Sequence, residues 1–553
     1  MIVSISASRM RLCARAAPTG ASASTSVTAT ATTMDRRTLG RTSTVRAAID
    51  SLGIVRTRMR ATTASPSAVR TVAASTDDTR RPDARHARSP DGSHSPQERQ
   101  RATGLRQQGA TGLPRRVVRG LALAGVLALA ACGPQRQPGV VGYVEGFSGA
   151  IVTDEPRAAL VARDVLSAGG TAADAAVALS LALTVTLPSS AGLGGGGVCL
   201  VVDRDAENDL RVEALDFLPN APAGPPGPEG AVAVPAMPRG LYALHARAGV
   251  LRWESLVIPA ETLARAGFPA SRALASEVQA VGGAPPGMLR GGGASLGEGQ
   301  RLQNLDLARA LGQVRVGPGE FHAGAIAREM TAAAGQQGHT LTAEAVRDWR
   351  PVWRPVLRRD YGSHIDAFAP VPDSAAGLAD AWAAMDDPDD RPDGPGGALA
   401  PLPDLSESQR GRGATAFAVA DSYGGAVTCA LTLNRPFGTG QPLAGLGFPL
   451  VPLPDARSPD LALMTRVNAN SKVILGAVAA AGGAARDAAL QAGLPALKGD
   501  VGAREAVADV RAGGLGRALV NVIDCPDGLP RAPESCSVAV DPRGAGLALR
   551  VGD

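Results

Sequence analysis

One stretch constrains this chain more than any other: Gly413-Ala414-Thr415-Ala416-Phe417-Ala418-Val419-Ala420-Asp421-Ser422-Tyr423-Gly424-Gly425, continued by Ala426-Val427-Thr428-Cys429-Ala430-Leu431-Thr432-Leu433-Asn434. Two apolar runs flank Asp421–Gly425, a cluster of turn-forming residues, so the pattern predicts a β-hairpin. Alternation along the first run puts Ala414, Ala416, Ala418 and Ala420 on one face and Thr415, Phe417 and Val419 on the other. A face made only of methyl groups reads as core.

The chain has 553 residues, 45% of them apolar and 19% charged, enough to bury one or two large cores. Residues 1–112 are rich in Ser, Thr, Ala, Arg and Gly and lack apolar periodicity, so they read as a disordered leader or as sequence upstream of the true start. The next stretch has the order of an export signal. Arg115, Arg116 and Arg119 form a basic flank, and Val117 to Ala131 form an apolar core too short to span a bilayer comfortably. It ends Leu129-Ala130-Ala131-Cys132-Gly133, which resembles the lipobox of bacterial lipoproteins and implies lipidation of Cys132. Residues 113–131 are then the signal peptide and 132–139 a tether. The expectation is an envelope protein on the periplasmic side, held to a membrane through its N-terminal lipid.

Charge follows this division. Residues 1–131 hold 21 Arg and 7 acids; subtracting these from the 56 basic and 51 acidic residues of the chain leaves 35 and 44, a balance of −9 after the signal. The basic pI therefore belongs to the leader, and it implies no nucleic-acid partner. Export also bears on the cysteines. Cys525 and Cys536 bracket a polar loop and are expected to form a disulfide. Cys199 and Cys429 sit inside apolar runs and read as small buried hydrophobes.

Along the mature chain, Glu155-Pro156 opens a helix, Gly169-Gly170 stops it, and Thr171 with Asp174 reads as a capping box for the next. That helix, Ala175 to Leu187, is apolar nearly all round and should be buried. The glycine-rich run Pro188–Gly197 lies between a helix and the strand Val198–Val202, the reverse of the order in nucleotide-binding loops, so nucleotide binding is rejected. Asp386 to Asp404 is dense in Asp, Pro and Gly and marks a flexible linker, 386–413, between a region 140–413 and a region 414–553.

These landmarks resemble the γ-glutamyltranspeptidase family. The run from Ala168 through Gly197 is similar to the start of that family's large subunit. The hairpin is similar to its catalytic pattern T-T-H-x-S-V-V-D-x-x-G-N-A-V-x-x-T-x-T-L-N-x-x-F-G-[ST]-G, aligned without a gap through Asp421, Gly424, Ala426-Val427, Thr432-Leu433-Asn434 and Phe437-Gly438-Thr439-Gly440. The resemblance implies an α/β fold, the four-layer αββα sandwich of N-terminal-nucleophile hydrolases, with large-subunit-like and small-subunit-like parts. It also implies a precursor that cleaves itself before a Thr, whose hydroxyl then attacks amides with its own α-amine as base. The small-molecule partner implied is a γ-glutamyl or other amide compound, with no cofactor. The histidines show no ligand spacing, so no metal is implied.

The nucleophile position, however, falls on Ala414. Thr, His and Ser of the pattern become Ala414, Ala416 and Ala418. The Arg that grips the substrate carboxylate falls on Leu218, the amino-group partners on Leu453 and Ala456 beside Asp455, and a Ser-Ser pair on Ala462-Leu463. Thr432, Asn434 and the oxyanion-type glycines Gly482 and Gly483 survive. Two readings stand: a member that no longer catalyses, kept for binding or scaffolding, and an active amidohydrolase using Thr415 after cleavage between Ala414 and Thr415. Thr415 is a candidate only, because a one-residue slip sends its side chain to the opposite face.

Overall fold

The hairpin forms as its sequence requires, with Ala414–Asp421 paired antiparallel to Ala426–Thr432 so that Ala414 faces Thr432 and Ala420 faces Ala426. The computed structural model describes residues 141–144, 149–204, 209–222, 232–289, 295–371, 375–386, 413–455, 458–512 and 518–551, all within the unit Thr111–Asp553. Cys132, the leader, the signal and the tether lie outside the described residues, as does the linker between its two ends.

The strands in chain order are β1 (Val141–Val144), β2 (Gly149–Thr153), β3 (Gly196–Arg204), β4 (Leu210–Phe217), β5 (Phe268–Pro269), β6 (Arg301–Leu302), β7 (Val352–Pro355) and β8 (Leu357–Tyr361). They continue with β9 (His364–Phe368), β10 (Ala414–Asp421), β11 (Ala426–Thr432), β12 (Asp460–Asn468), β13 (Val473–Gly482), β14 (Leu519–Leu529), β15 (Ser537–Val540) and β16 (Leu547–Val551). The helices used below are α1 (Pro156–Ser167), α2 (Ala172–Thr186), α3 (Met237–Ala248), α4 (Trp253–Ala266), α5 (Arg272–Ala280), α6 (Leu305–Val316), α7 (Pro318–His322), α8 (Ala325–Gln336), α9 (Ala343–Asp348), α10 (Ala375–Asp386), α11 (Ala485–Lys498) and α12 (Ala503–Ala512).

One sheet runs β1-β16-β2-β10-β11-β3-β4-β7 and a second runs β15-β14-β13-β12-β9-β8. Strands from both sides of the linker interleave in the first sheet and adjoin in the second, where β9 pairs with β12, so the two regions share their cores rather than forming separate bodies. Three buried clusters define four layers. Phe417, Val419 and Leu431 pack with α2 and its neighbours; Ala414, Ala416 and Ala418 pack with Ala477, Ala479 and Ile523 between the sheets; Met464 and Val478 pack with α10, α11 and α12. This is the αββα sandwich, with the alanine face of β10 turned inward between the sheets.

Local chemistry explains the elements. Thr171 and Asp174 close a reciprocal capping box at the start of α2, every residue of which is buried. The glycine-rich run serves close backbone approach: a Cβ on Gly196 would lie 2.1 Å from the Phe217 carbonyl oxygen, and one on Gly197 2.4 Å from that of Ala430. In the second sheet Arg466 makes a bidentate pair with buried Asp366 through Nε and Nη2, both at 2.7 Å, and Trp382 Nε1 donates to the same carboxylate at 2.8 Å.

One expectation is corrected. Cys199 and Cys429 are bonded to each other as well as buried, because β3 and β11 are adjacent antiparallel strands whose register sets the two residues directly opposite, with Cα atoms 4.1 Å apart. The pairing of strands 230 residues apart is a property of topology that local sequence does not carry. The expected Cys525–Cys536 bond is formed.

Labelling of non-reduced, denatured protein should therefore find all four of these thiols blocked, and reduction should lower the melting temperature; a loss of about 2–4 kcal/mol per bond is typical. Labelling at Cys199 or Cys429 without reductant would contradict the pairing.

A second prediction concerns Glu155, which caps α1. Its Oε2 accepts from Ala158 N and Thr186 Oγ1, both at 2.8 Å, while Oε1 is buried without a partner. Burial raises its carboxyl above the usual range. Stability linked to this group is present at pH below the ordinary carboxylate range and is lost as pH rises through the raised pKa. Glu155→Gln should thus gain stability relative to the parent as pH increases from about 4 to 8, read by urea unfolding. A difference independent of pH would refute the assignment.

Candidate functional site

The end of β10 and the end of β11 enclose the peptide between Gly413 and Ala414. Gly413 has a φ of +48°, and a Cβ there would meet the Arg435 backbone at 2.4 Å, so only glycine fits. Its carbonyl oxygen accepts from Leu433 N at 2.8 Å and from Thr432 Oγ1 at 3.2 Å. Thr432 Oγ1 in turn accepts from Asn434 N at 2.9 Å, and Asn434, at φ +59°, donates its Nδ2 to the Pro452 carbonyl at 2.9 Å. Thr432 and Asn434 thus polarise and fix one peptide carbonyl. The adjoining residue, Ala414, is 2% exposed and presents only a methyl group. Nothing on residue 414 can add to that carbonyl or to a substrate.

Thr415 is placed elsewhere. It lies on the face of Phe417 and Val419, fully buried, and its Oγ1 donates to Asp154 Oδ2 at 2.8 Å. Asp154, just beyond β2, also accepts from Ala416 N at 3.3 Å and from Asn521 Nδ2 at 2.8 Å. Asn521 belongs to β14 of the second sheet and donates to the Ala416 carbonyl as well, at 2.8 Å. The hydroxyl of Thr415 is one arm of a buried network that ties the sheets together. Sequence reasoning missed Asp154 and Asn521 as members; the signal was a carboxylate directly after a buried strand and an amide inside one.

The other positions cluster around the same core. Leu218 packs against the inter-sheet alanine cluster, and its N–H donates to Asp216 Oδ1 at 3.1 Å. Asp216 also accepts from Arg354 Nε at 2.8 Å. Leu453 is half-buried, Asp455 is paired with Arg435, and Ala456 lies outside the described residues. Of the pair Ala462-Leu463, Leu463 faces the alanine cluster and Ala462 faces α11. Gly482 closes β13 at φ +118°, directly after Ala481 of the alanine cluster, and Gly483 leads to Ala484, the left-handed cap of α11. A second buried pair, Thr428 Oγ1 and Thr465 Oγ1 at 2.9 Å, crosses between the sheets.

At the far end of the hairpin Asp421 accepts from Ala172 N at 2.7 Å and from Tyr423 N and Gly425 N at 2.8 Å each. It clamps the turn and fixes it to the first turn of α2. Burial raises its pKa, opposed by those backbone donors.

Comparison with known proteins fits this geometry. The family model for gamma-glutamyltranspeptidase matches residues 158–390. Human glutathione hydrolase 7 is 33% identical over 258 residues, which are 42% of this chain and 37% of that protein. The glutathione hydrolase proenzyme of Escherichia coli (strain K12) is 27% identical over 288 residues, 46% of this chain and 49% of that one. Over this span the chain is similar to the γ-glutamyltranspeptidase family. It spans less than half the length of these relatives of the family, and the matched span 158–390 ends before the hairpin. The fold is matched by a cephalosporin acylase from Bacillus halodurans, with a TM-score of 0.55 and 18% identity, over 76% of this chain and 100% of the acylase.

If Thr415 is a strut, Thr415→Val should remove one donor from a buried carboxylate and destabilise by about 1–3 kcal/mol in urea unfolding, with no change in chain integrity. Unchanged stability would show that the Asp154 contact carries no weight.

Proposed function

We propose that this chain keeps the architecture of the γ-glutamyltranspeptidases without self-cleavage or γ-glutamyl transfer, and serves as a lipid-anchored envelope protein with a binding or scaffold role. The observation that carries the reading is the inward face of β10. Ala414, Ala416 and Ala418 occupy the line where the family pattern has Thr, His and Ser, and all three are buried in one apolar cluster. Thr432 and Asn434 still hold the Gly413 carbonyl, but no hydroxyl or amine stands beside it on residue 414. The candidate Thr415 is fully buried, with its hydroxyl engaged by Asp154. Leu218 in place of a guanidinium supports the same reading, since a substrate carboxylate brought against it would be a buried, unpaired charge costing several kcal/mol. Anchoring rests on the lipobox at Cys132, and two disulfides among the described residues suit an oxidising compartment.

A chromogenic γ-glutamyl anilide tests this directly. The parent chain should release no chromophore above background. Ala414→Thr alone should not restore hydrolysis, because loss of a bidentate Arg contact alone removes about 1.5–3 kcal/mol, or one to two decades of rate. Ala414→Thr combined with Leu218→Arg is the smallest change worth assaying. Hydrolysis by the parent that Thr415→Ala abolishes would overturn the proposal and make Thr415 the nucleophile. In parallel, Cys132→Ser should release the protein from membranes.

A further inference from the structure

Away from the hairpin, α3, α7 and the end of α9 converge on Trp349 and leave hydrogen-bonding capacity unused. Arg239 Nη1 donates to the Arg347 carbonyl at 2.9 Å and to the Trp349 carbonyl; Arg350 Nη1 donates to the same two carbonyls, at 2.5 Å and 2.8 Å. Two guanidiniums thus share two acceptors, and among the described residues neither is hydrogen-bonded to a carboxylate. Asp348, the nearest acid in sequence, is held by Arg347 through both oxygens. Trp349 Nε1 is buried without a partner. His322, fully buried, stacks on Trp349 with ring centroids 6.2 Å apart and planes at 14°, and its Nε2 is also without a partner.

The tautomer of His322 follows from its contact. Nδ1 lies 3.3 Å from the Val346 carbonyl oxygen, which can only accept, so Nδ1 carries the proton. Burial and the nearby Arg239 lower the pKa of this ring to about 3, so it stays neutral and Nε2 is an acceptor. Arg239 itself is lowered to about 10, by burial first and by Arg350 next, with Asp348 opposing the shift only in part. The unused set is two guanidiniums and an indole N–H as donors, with one imidazole nitrogen as acceptor.

We propose that Arg239, Arg350, Trp349 and His322 form a binding site for a phosphate group that retains a proton. Its unprotonated oxygens take the guanidinium and indole N–H groups, and its P–OH donates to His322 Nε2. Sulfate and carboxylates, which carry no proton at neutral pH, satisfy the donors and leave the imidazole unpaired, so the site discriminates against them. Inorganic phosphate keeps such a P–OH throughout the neutral range, whereas a phosphate monoester, with a second pKa of about 6, has largely lost it, so the free ion is the ligand this site fits.

The test uses the purified full chain at fixed ionic strength, following the melting temperature and the tryptophan emission. Inorganic phosphate, glycerol phosphate, sulfate and acetate are titrated in turn, with chloride as the reference. Saturable stabilisation by inorganic phosphate is expected, with sulfate and acetate at least about tenfold weaker. Glycerol phosphate, mostly without a P–OH at neutral pH, should bind more weakly than inorganic phosphate; an equal response at that pH would show that the P–OH is not read and would overturn the assignment. Arg350→Gln, at an exposed position, should weaken phosphate binding about tenfold or more, and Trp349→Phe should abolish the emission change while lowering affinity. No saturable response in the parent, an unaltered response in Arg350→Gln, or equal binding of sulfate would each overturn the assignment, leaving the two ring nitrogens to a buried water.

Discussion

Everything at the candidate site depends on how the two sheets meet. The inward face of β10 is alanine at four successive positions, and it packs against alanines of β13 and against Ile523 of β14. Stacked sheets usually hold branched side chains across a gap of about 10 Å. Here the methyl groups of β10 share the interface with branched residues such as Val152, Leu200, Leu463 and Ile523, in one buried apolar cluster. A Thr, His or Ser introduced on this face without partners would cost about 1–3 kcal/mol each. The alanine face and the apolar residues opposite it are therefore mutually committed: neither can become polar alone.

Polar groups hold the sheets in register around that apolar seam. Asp154 joins Thr415 of one sheet to Asn521 of the other, and Thr428 with Thr465 makes a second crossing. Asp421 fixes the hairpin turn to α2. Disulfide Cys199–Cys429 binds the hairpin to β3 from within the same sheet. The hairpin is braced along its length, and Gly413 enters it through a backbone conformation that Thr432 and Leu433 hold by the carbonyl.

Much of this was legible in the sequence because it rests on short-range periodicity. The alternation of Ala414, Ala416 and Ala418 with Thr415 and Phe417, the turn at Asp421–Gly425, and the capping box at Thr171 and Asp174 are each set by residues within a few positions of one another. The sandwich itself came from the order of motifs resembling a known family. The features hidden from sequence reading are long-range. Cys199 and Cys429 look like ordinary core residues until the strand order places them opposite each other. Asn521 and Asp154 are 367 residues apart and meet only because β14 and β2 face across the sandwich. The Arg239–Trp349–His322 cluster likewise gathers residues from three helical segments, none of which carries a recognisable pattern alone.

The central claim is that the Gly413–Ala414 peptide stays intact because residue 414 has no nucleophilic atom. Intact mass spectrometry of the purified chain, after reduction and denaturation, measures this without reference to any substrate. One polypeptide continuous from the mature N-terminus to Asp553 is the result predicted. Two fragments, the second beginning at Ala414 or Thr415, would contradict it.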